Sequence, residues 1–436
     1  MARVVISTAG SSGDLHPYIA LGLGLRLRGH AVVFAVEESF AGRLRAEGFE
    51  TLPLRGDMRA QLTPYAREMV SGADAIASLR IMSQRYLAPP LRENIALLRD
   101  LCADADLLIA SVGQTAASAV AELSGVRWVT VALSPTLPSA WVAPTRAAAW
   151  LPAGAQRAAN RALWALGGAA IARASDPPLN AVRAAYGLPP RHRLLGDGAL
   201  SPTLTAVAVS PTFFPRPPDW PASAQVTGFL YWDVPADWRE PPALAEFLSG
   251  KRPVVAVSSG SMGADVGDAF AGFFAASVAA IHRAGARALV IGAGDAFSED
   301  GPDTLRLEYA PFSLIYPRCA AVIHHGGAGT LGQSLRAGVP MLIAPWGADQ
   351  FFHALLAERA GVGRTLARRR FTADRARAAL TALLHEPRYR ERAQALARQI
   401  AQEDGVGALC DAIEMALAQP MQPGKARQTT EQRAGG

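Results

Sequence analysis

The chain has 436 residues, of which 50% are hydrophobic and 18% are charged. This composition excludes a chain that is disordered throughout, and the length suits about two or three domains that each bury a core. The net charge of +6 comes from scattered arginines without interleaved aromatic residues, which argues against nucleic-acid binding and leaves attraction to an anionic membrane surface as an expectation. The eight histidines and three cysteines lack metal-ligand and CxxC spacing, so we expect no metal site and no disulfide framework.

The chain opens with a predicted strand–helix–strand unit. We predict a strand from Arg3 to Thr8, a loop from Ala9 to His16, a helix from Pro17 to Arg28 that ends before Gly29, and a strand from Ala31 to Val36. This order is typical of a parallel sheet with a ligand-binding loop after its first strand.

The rest of the first half alternates less regularly. Further strands are predicted at Leu107 to Ala110, Trp128 to Ala132 and Ala206 to Val209, and the last of these closes the first sheet. Helical segments from Gln61 to Leu98 and from Trp141 to Ala174 interrupt the alternation. Insertions of this kind often form the variable wall of a substrate site.

Proline density marks the division of the chain. Between Pro211 and Pro221 the prolines disfavour helix and interior strand, which indicates a linker. We predict a first domain over 1–215, a linker over 216–236, a second domain over 237–417 and a disordered tail over 418–436.

The second half restarts the same α/β pattern. A helix is predicted from Ala269 to Ala284, and helices between Ala373 and Leu417 finish the fold. The predicted strands are Val254 to Ser258, Arg287 to Ile291, Leu305 to Tyr309, Ala321 to Ile323 and Met341 to Ala344.

The segment from Cys319 to Thr330 is the most informative part of the sequence. An apolar strand leads into a glycine-rich turn, and Thr330 to Arg336 is predicted to open a helix that ends before Gly338. A strand, a glycine turn and a helix N-terminus together form an anion site, because unpaired N–H groups and the helix dipole converge there. His325 and Thr330 add donors suited to a diphosphate.

Four short sequence motifs, in this order along the chain, resemble those of a known family: Tyr309-Ala-Pro-Phe312, His324-His-Gly-Gly-Ala-Gly-Thr330, Ala337-Gly-Val-Pro340 and Pro345-Trp-Gly-Ala-Asp-Gln350. The chain up to about Leu417 resembles the family 1 nucleotide-sugar-dependent glycosyltransferases, and most of all the bacterial and fungal enzymes that glycosylate sterols and other lipids, including rhamnolipid rhamnosyltransferases. The resemblance implies the GT-B fold, in which two Rossmann-like α/β domains face each other across a cleft and the last helix crosses back to the first domain. It also implies inverting transfer of a hexose from a UDP- or dTDP-sugar to a hydroxyl of a lipophilic acceptor, with no resident cofactor.

The resemblance places the donor site in the second domain. His325, Thr330 and the turn N–H groups would hold the diphosphate without a metal, Tyr309 would stack on the base, and Trp346 would form a wall of the sugar pocket. Asp349 and Gln350 would bind sugar hydroxyls, although an N-cap of a helix from Gln350 to Arg359 is an alternative for Asp349. The predicted donor-binding residues are Gly260, Ser261, Tyr309, His325, Gly327, Ala328, Gly329, Thr330, Gln333, Trp346, Asp349 and Gln350.

Gln333 departs from the plant members of the family, which carry a glutamate for the ribose hydroxyls at this position. Glutamine accepts only through its carbonyl oxygen, so the preference for ribose over deoxyribose is weakened. Both UDP- and dTDP-sugars therefore remain open as donors.

The first loop, from Gly10 to Pro17, supplies the candidates for the general base. The resemblance favours Asp14, and His16 is the substitute because it titrates near neutrality. A helix cap before Pro17 is the structural alternative for Asp14.

Tyr86, Leu137 and Trp141 are the predicted acceptor-binding residues, with simple coverage of the sheet as the alternative. The chain shows neither a signal-peptide layout nor a run of 18 apolar residues, so we expect a cytoplasmic protein, with peripheral membrane contact open. A non-catalytic homologue that binds nucleotide or a partner protein is the alternative function.

Overall fold

The protein contains two parallel β-sheets in one chain. The computed structural model describes residues 1–65, 68, 75–149, 151–235, 238–260, 270–347 and 349–420. The strands of the first sheet lie in the order β3-β2-β1-β4-β5-β6-β7. They are β1 Arg3–Ser7, β2 Ala31–Glu37, β3 Glu50–Leu54, β4 Leu107–Ser111, β5 Arg127–Ala132, β6 Thr205–Val207 and β7 Ala224–Val226.

The second sheet repeats the same winding, in the order β10-β9-β8-β11-β12-β13. Its strands are β8 Val254–Ser258, β9 Arg287–Ile291, β10 Thr304–Leu307, β11 Ala321–His324, β12 Met341–Ile343 and β13 Gly363–Thr365. In each sheet the order reverses beside the first strand, between β1 and β4 and between β8 and β11. Loops that leave the carboxyl ends of strands at such a reversal diverge and open a crevice for ligand.

Helices cover both faces of the sheets, because successive strand residues alternate between two hydrophobic clusters. The first part of the chain contains α1 Ser12–Leu27, α2 Glu38–Ala46, α3 Met58–Leu62, α4 Ala75–Ile81, a π-helical turn Met82–Leu87, α5 Ala88–Leu101, α6 Ala116–Ser124, α7 Arg146–Ala149 and α8 Ala153–Ala185. The second part contains α9 Pro242–Ser249, α10 Ala271–Arg283, α11 Phe312–Ile315, α12 Ala328–Ala337, α13 Gln350–Arg359, α14 Ala373–His385, α15 Pro387–Ile400 and α16 Gly405–Ala418.

The last helix returns to the first sheet, as the resemblance implies. Leu409 and Ile413 of α16 are fully buried in the same cluster as Val4 and Ile6 of β1. Arg28 at the end of α1 also pairs with Asp411, at 2.5 Å. No described helix is both long enough and apolar enough to cross a membrane.

The structure differs from the predicted elements in three respects. The first helix begins at Ser12 instead of Pro17, so Asp14 is a helical residue in its first turn and the predicted loop over 9–16 is shorter. The strand predicted at 206–209 does not close the first sheet, because β7 pairs with β6 from within the predicted linker, 216–236. The edge strands β3 and β13 went unpredicted, since β3 contains Pro53 and β13 has only three residues.

Candidate active site

Asp14 lies in the crevice beside β1, held by the loop that follows this strand. The Ser11 N–H and the Ser11 hydroxyl both donate to Asp14 Oδ2, at 2.7 and 2.9 Å, while Oδ1 accepts neither bond. Gly10 approaches so closely, with φ of 133°, that a Cβ there would lie 2.4 Å from Asp14 Oδ2. The carboxylate therefore both caps its helix and stays beside the crevice, so the two interpretations of Asp14 are compatible.

Burial raises the pKa of Asp14 above its ordinary value, against the lowering effect of the Ser11 hydrogen bonds. The charge of Asp349 raises the pKa of Asp14 further, so carboxylates from the two domains interact across the cleft. A raised pKa makes the ionised carboxylate a stronger base than an exposed aspartate.

His16, the alternative base, packs its ring against Trp232, with 4.7 Å between the ring centroids. Burial, with a contribution from the charge of Arg43, lowers the pKa of His16 to about 4. The imidazole is therefore neutral at pH 7 and is a weak base.

The second domain brings Gly260, His325 and Gly327 together through the register of its sheet. Ser258 of β8 lies opposite His324 of β11, so the loops that follow the two strands start side by side. A Cβ at Gly260 would lie 2.5 Å from His325 Cε1, and one at Gly327 would lie 2.5 Å from His325 Nε2. A side chain at either position would displace the imidazole, because the two backbone segments enclose it. Ser261, which was predicted beside Gly260, lies outside the described residues.

The two adjacent histidines differ in role. The Gly326 N–H donates to His324 Nδ1 at 3.0 Å, so His324 supports the turn from the protein interior. His325 is 6% exposed, and its buried Nδ1 has no partner in the described part of the chain. Burial, together with the charge of His353, lowers the pKa of His325 to about 4, so its ring is neutral at pH 7 and can hydrogen-bond a ligand oxygen.

Helix α12 starts beside His325. Gly327 is its N-cap residue, and Ala328, Gly329 and Thr330 form its first turn, whose N–H groups lack intrahelical acceptors. Gln333 follows on the same helix, and its buried Oε1 has no partner among the described residues. This arrangement offers backbone donors to an anion and one buried acceptor to a hydroxyl group.

Asp349 and Gln350 stand where α13 begins. The Asp349 side chain makes no capping hydrogen bond; its Oδ2 lies 3.8 Å from His353 Nε2. Gln350 Oε1 accepts from the Trp346 and Gly347 N–H groups, at 2.8 and 3.2 Å, and thereby shapes the preceding turn. Only the Gln350 amide nitrogen is then available to a sugar hydroxyl.

The two predicted aromatic contacts are placed differently. Tyr309 follows β10 and is 45% exposed, so its ring is accessible to a base. The Trp346 ring is tilted against that of Phe270, with 4.0 Å between the ring centroids, and the Arg368 guanidinium lies 4.7 Å over the Trp346 ring. Packing within the second domain therefore fixes the orientation of Trp346.

Sequence reasoning missed His353, which links the two domains. His353 Nδ1 lies 2.8 Å from the Gly326 carbonyl oxygen, and His353 Nε2 lies 2.9 Å from Ser134 Oγ in the loop after β5. Since the carbonyl can only accept, Nδ1 carries the proton and the Ser134 hydroxyl donates to Nε2. The signal was present, because His353 lies one turn after Asp349 on a predicted helix.

The predicted acceptor residues do not meet in one cluster. Tyr86 is buried, donates its hydroxyl to Glu37 and lines a cavity of about 30 Å³. Leu137 packs in the cluster that contains Phe352 of the second domain. Trp141 is 49% exposed. Among the described residues there is no group of three or more histidine, cysteine, aspartate or glutamate side chains that suits a metal ion.

Comparison with known proteins identifies the class. Residues 4–140 match the glycosyltransferase family 28 N-terminal domain, and residues 292–407 match the C-terminal domain of erythromycin biosynthesis protein CIII-like proteins. O-mycaminosyltylonolide 6-deoxyallosyltransferase of Streptomyces fradiae is 31% identical over 94% of this chain and 97% of its own length. The sterol 3-beta-glucosyltransferase of Neosartorya fischeri is 28% identical over 94% of this chain, which spans 29% of that enzyme.

Solved structures show the same architecture. The glycotransferase of kitacinnamycin superposes with a TM-score of 0.70 at 21% identity, over 95% of this chain and 99% of that one. The Streptomyces sp. SF2575 glycosyltransferase SsfS6, complexed with thymidine diphosphate, gives 0.64 at 20% identity, over 95% and 100%. The chain belongs to the family 1 glycosyltransferases with the GT-B fold. It is a nucleotide-sugar-dependent hexosyltransferase, which confirms the predicted fold and class.

Proposed function

We propose that this enzyme transfers a hexose from a UDP- or dTDP-sugar, with inversion, to a hydroxyl group of a lipophilic acceptor. The observation that carries the proposal is that α1, whose first turn contains Asp14, packs against α12, whose first turn follows the glycine-rich turn of the second domain. The charge of Asp349 also raises the pKa of Asp14. A base and a donor-binding site thus meet at one crevice.

In the proposed reaction, Asp14 takes the proton from the acceptor hydroxyl while the acceptor oxygen attacks the anomeric carbon. The bond between this carbon and the diphosphate breaks, and the negative charge goes to the departing nucleoside diphosphate. His325 and the N–H groups at the start of α12 stabilise that charge, which preorganised donors do without reorganisation of solvent. The neutral, low-pKa His16 is the weaker candidate for the base.

The donor assignment has support of its own. The unpaired, buried Gln333 Oε1 suits a sugar hydroxyl of the nucleoside, and Tyr309 is accessible for stacking on its base. A relative of the same fold was solved with thymidine diphosphate, which supports the dTDP alternative. The lipophilic acceptor has support from the sterol-glucosylating relatives, and an anionic membrane surface is the proposed partner that presents it.

Nucleotide binding without metal tests the site. In the presence of EDTA, UDP or dTDP should raise the melting temperature of the enzyme, because a ligand at 100 times its Kd adds about 2.7 kcal/mol to the free energy of unfolding. GDP serves as the control nucleotide. Stabilisation that appears only with added magnesium or manganese would contradict protein donors as the holders of the diphosphate.

A further inference from the structure

The solvent face of α8 is apolar, which is unusual for a surface helix. Leu163 and Leu166 are 37% and 67% exposed, and the neighbouring solvent-facing residues are mostly alanines. Surface helices normally turn polar residues to water. The opposite face is anchored, because Asn160 Nδ2 donates to the Ala140 carbonyl and Trp164 Nε1 to the Val142 carbonyl, both at 2.9 Å.

The charges on this face have one sign. The sequence contains no acidic residue from Leu123 to Ser175. The solvent face carries Arg161 and Arg173, and Arg157 lies at its edge; all three are exposed. We define the α8 surface as Trp141, Leu151, Arg157, Arg161, Leu163, Leu166 and Arg173.

The acidic side chains described near this surface are engaged with other groups. Asp197, which lines a cavity with Arg173, pairs with Arg193 at 3.0 Å. The guanidinium of Arg157 lies 3.7 Å over the ring of Trp141, and Leu151, which shortly precedes α8, is 40% exposed. Asp219 accepts from Ser139 Oγ and the Ala140 N–H, both at 2.7 Å, and Asp176 accepts two backbone N–H groups after the helix.

We propose that the α8 surface binds an anionic lipid bilayer. Leucine and tryptophan side chains would enter the boundary between headgroups and acyl chains, and the arginines would contact lipid phosphates. Trp164 on the inner face packs 6.1 Å from Phe352 of α13, so the bilayer would lie beside the cleft. This proposal rests on the proposed function in that it assigns a surface to the membrane that presents the acceptor. The exposed residues that support it are not catalytic residues.

Vesicle co-sedimentation of the full-length enzyme tests the proposal. Wild type should sediment with phosphatidylglycerol vesicles and much less with phosphatidylcholine vesicles. The variant L166Q/R161Q/R173Q should bind phosphatidylglycerol vesicles at least about tenfold more weakly, since each arginine near the surface contributes about a fivefold effect. A matched control, L27Q/R375Q/R377Q, removes exposed residues of the same types elsewhere and should bind like wild type.

Equal vesicle binding by wild type and the α8 variant would overturn the proposal. The proposal would also be overturned if wild type did not bind vesicles but formed a dimer that the α8 variant could not form. In that case a second copy of the chain would occupy the α8 surface. Hydrolysis of the nucleotide sugar, or transfer to a water-soluble acceptor, should be unchanged in the α8 variant. If wild type itself showed neither hydrolysis nor transfer, the result would count against the proposed function and not against the membrane surface.

Discussion

At the scale of single residues, Asp14 decides the mechanism. Asp14→Asn keeps an oxygen for the Ser11 donors and removes the ionised group, so the free energy of unfolding should hardly change. Turnover should fall by roughly 10²–10⁴, the usual contribution of a general base. Steady-state kinetics with a hydroxylated lipid acceptor would measure this, together with nucleotide affinity, which should be retained.

His16→Ala is the comparison for this experiment. It should cost far less turnover than Asp14→Asn, because the low pKa of His16 makes it a weak base. In wild type, kcat/KM should fall as the pH drops through the pKa of Asp14, and this acid limb should lie above that of an ordinary aspartate. If Asp14→Asn kept full turnover while His16→Ala lost it, His16 would be the general base.

His325 should make nucleotide-sugar binding depend on pH. Its pKa is about 4 in the free protein, and the negative diphosphate should raise that pKa in the complex, so binding takes up a proton. Affinity should therefore increase as the pH falls from 7 towards 5. Titration calorimetry in two buffers of different ionisation enthalpy would measure the number of protons taken up on binding. A nucleotide sugar is the suitable ligand because its diphosphate does not titrate in this pH range.

His325→Asn provides the control. This variant should bind the nucleotide sugar more weakly, by roughly 1–3 kcal/mol, and show no proton uptake. Proton uptake of wild-type size in the variant would assign the titration to another group and leave His325 with a structural role.

At the scale of elements, α13 joins the glycine turn to the first domain through His353. His353→Ala removes both hydrogen bonds from a side chain that is 1% exposed, which should cost roughly 1–3 kcal/mol of stability and raise KM for the nucleotide sugar. His353→Asn can still donate to the Gly326 carbonyl and should recover most of this KM effect. Denaturant unfolding and steady-state kinetics separate the two contributions.

Ser134→Ala isolates the cross-domain bond. It should leave nucleotide affinity unchanged and lower kcat, because the turn keeps its bond to His353 while the alignment of the two domains is loosened. If Ser134→Ala and His353→Ala weakened nucleotide binding equally, the bond to Ser134 would be acting on the donor turn instead.

At the scale of the whole molecule, the last helix completes the core of the first domain. Ile413 is fully buried against β1, while Met415 on the same helix is 59% exposed. Ile413→Ala should lower the free energy of unfolding by about 2–5 kcal/mol, and Met415→Ala should change it little. Hydrogen exchange should show the loss in β1 and α1; a loss confined to the second domain would contradict this packing.

Much of the architecture could be predicted from sequence because its signals are local. Apolar runs such as 254–258 and 287–291 were predicted with their observed bounds, since buried parallel strands carry continuous hydrophobic sequence. Prediction from local sequence failed for strands that depend on pairing with a neighbour. Strand β7 lies just after the proline-rich segment, and its pairing with β6 is what makes it a strand. The start of α1 was misplaced because the Ser11–Asp14 capping pair outweighed Pro17.

The sequence by itself determined the class of enzyme, the glycine turn before α12 and the candidates Asp14 and His325, because each lies in a short motif. The tertiary structure alone decided that Gly260 and Gly327 enclose His325, that Asp349 interacts with Asp14 and that His353 bonds to Ser134. It also placed Tyr86 and Leu137 in different hydrophobic clusters and left Trp141 exposed, which no local pattern indicated. The physical reason is that these relations join residues far apart in the chain, and strand register and domain packing, which set such distances, leave no mark in a local pattern.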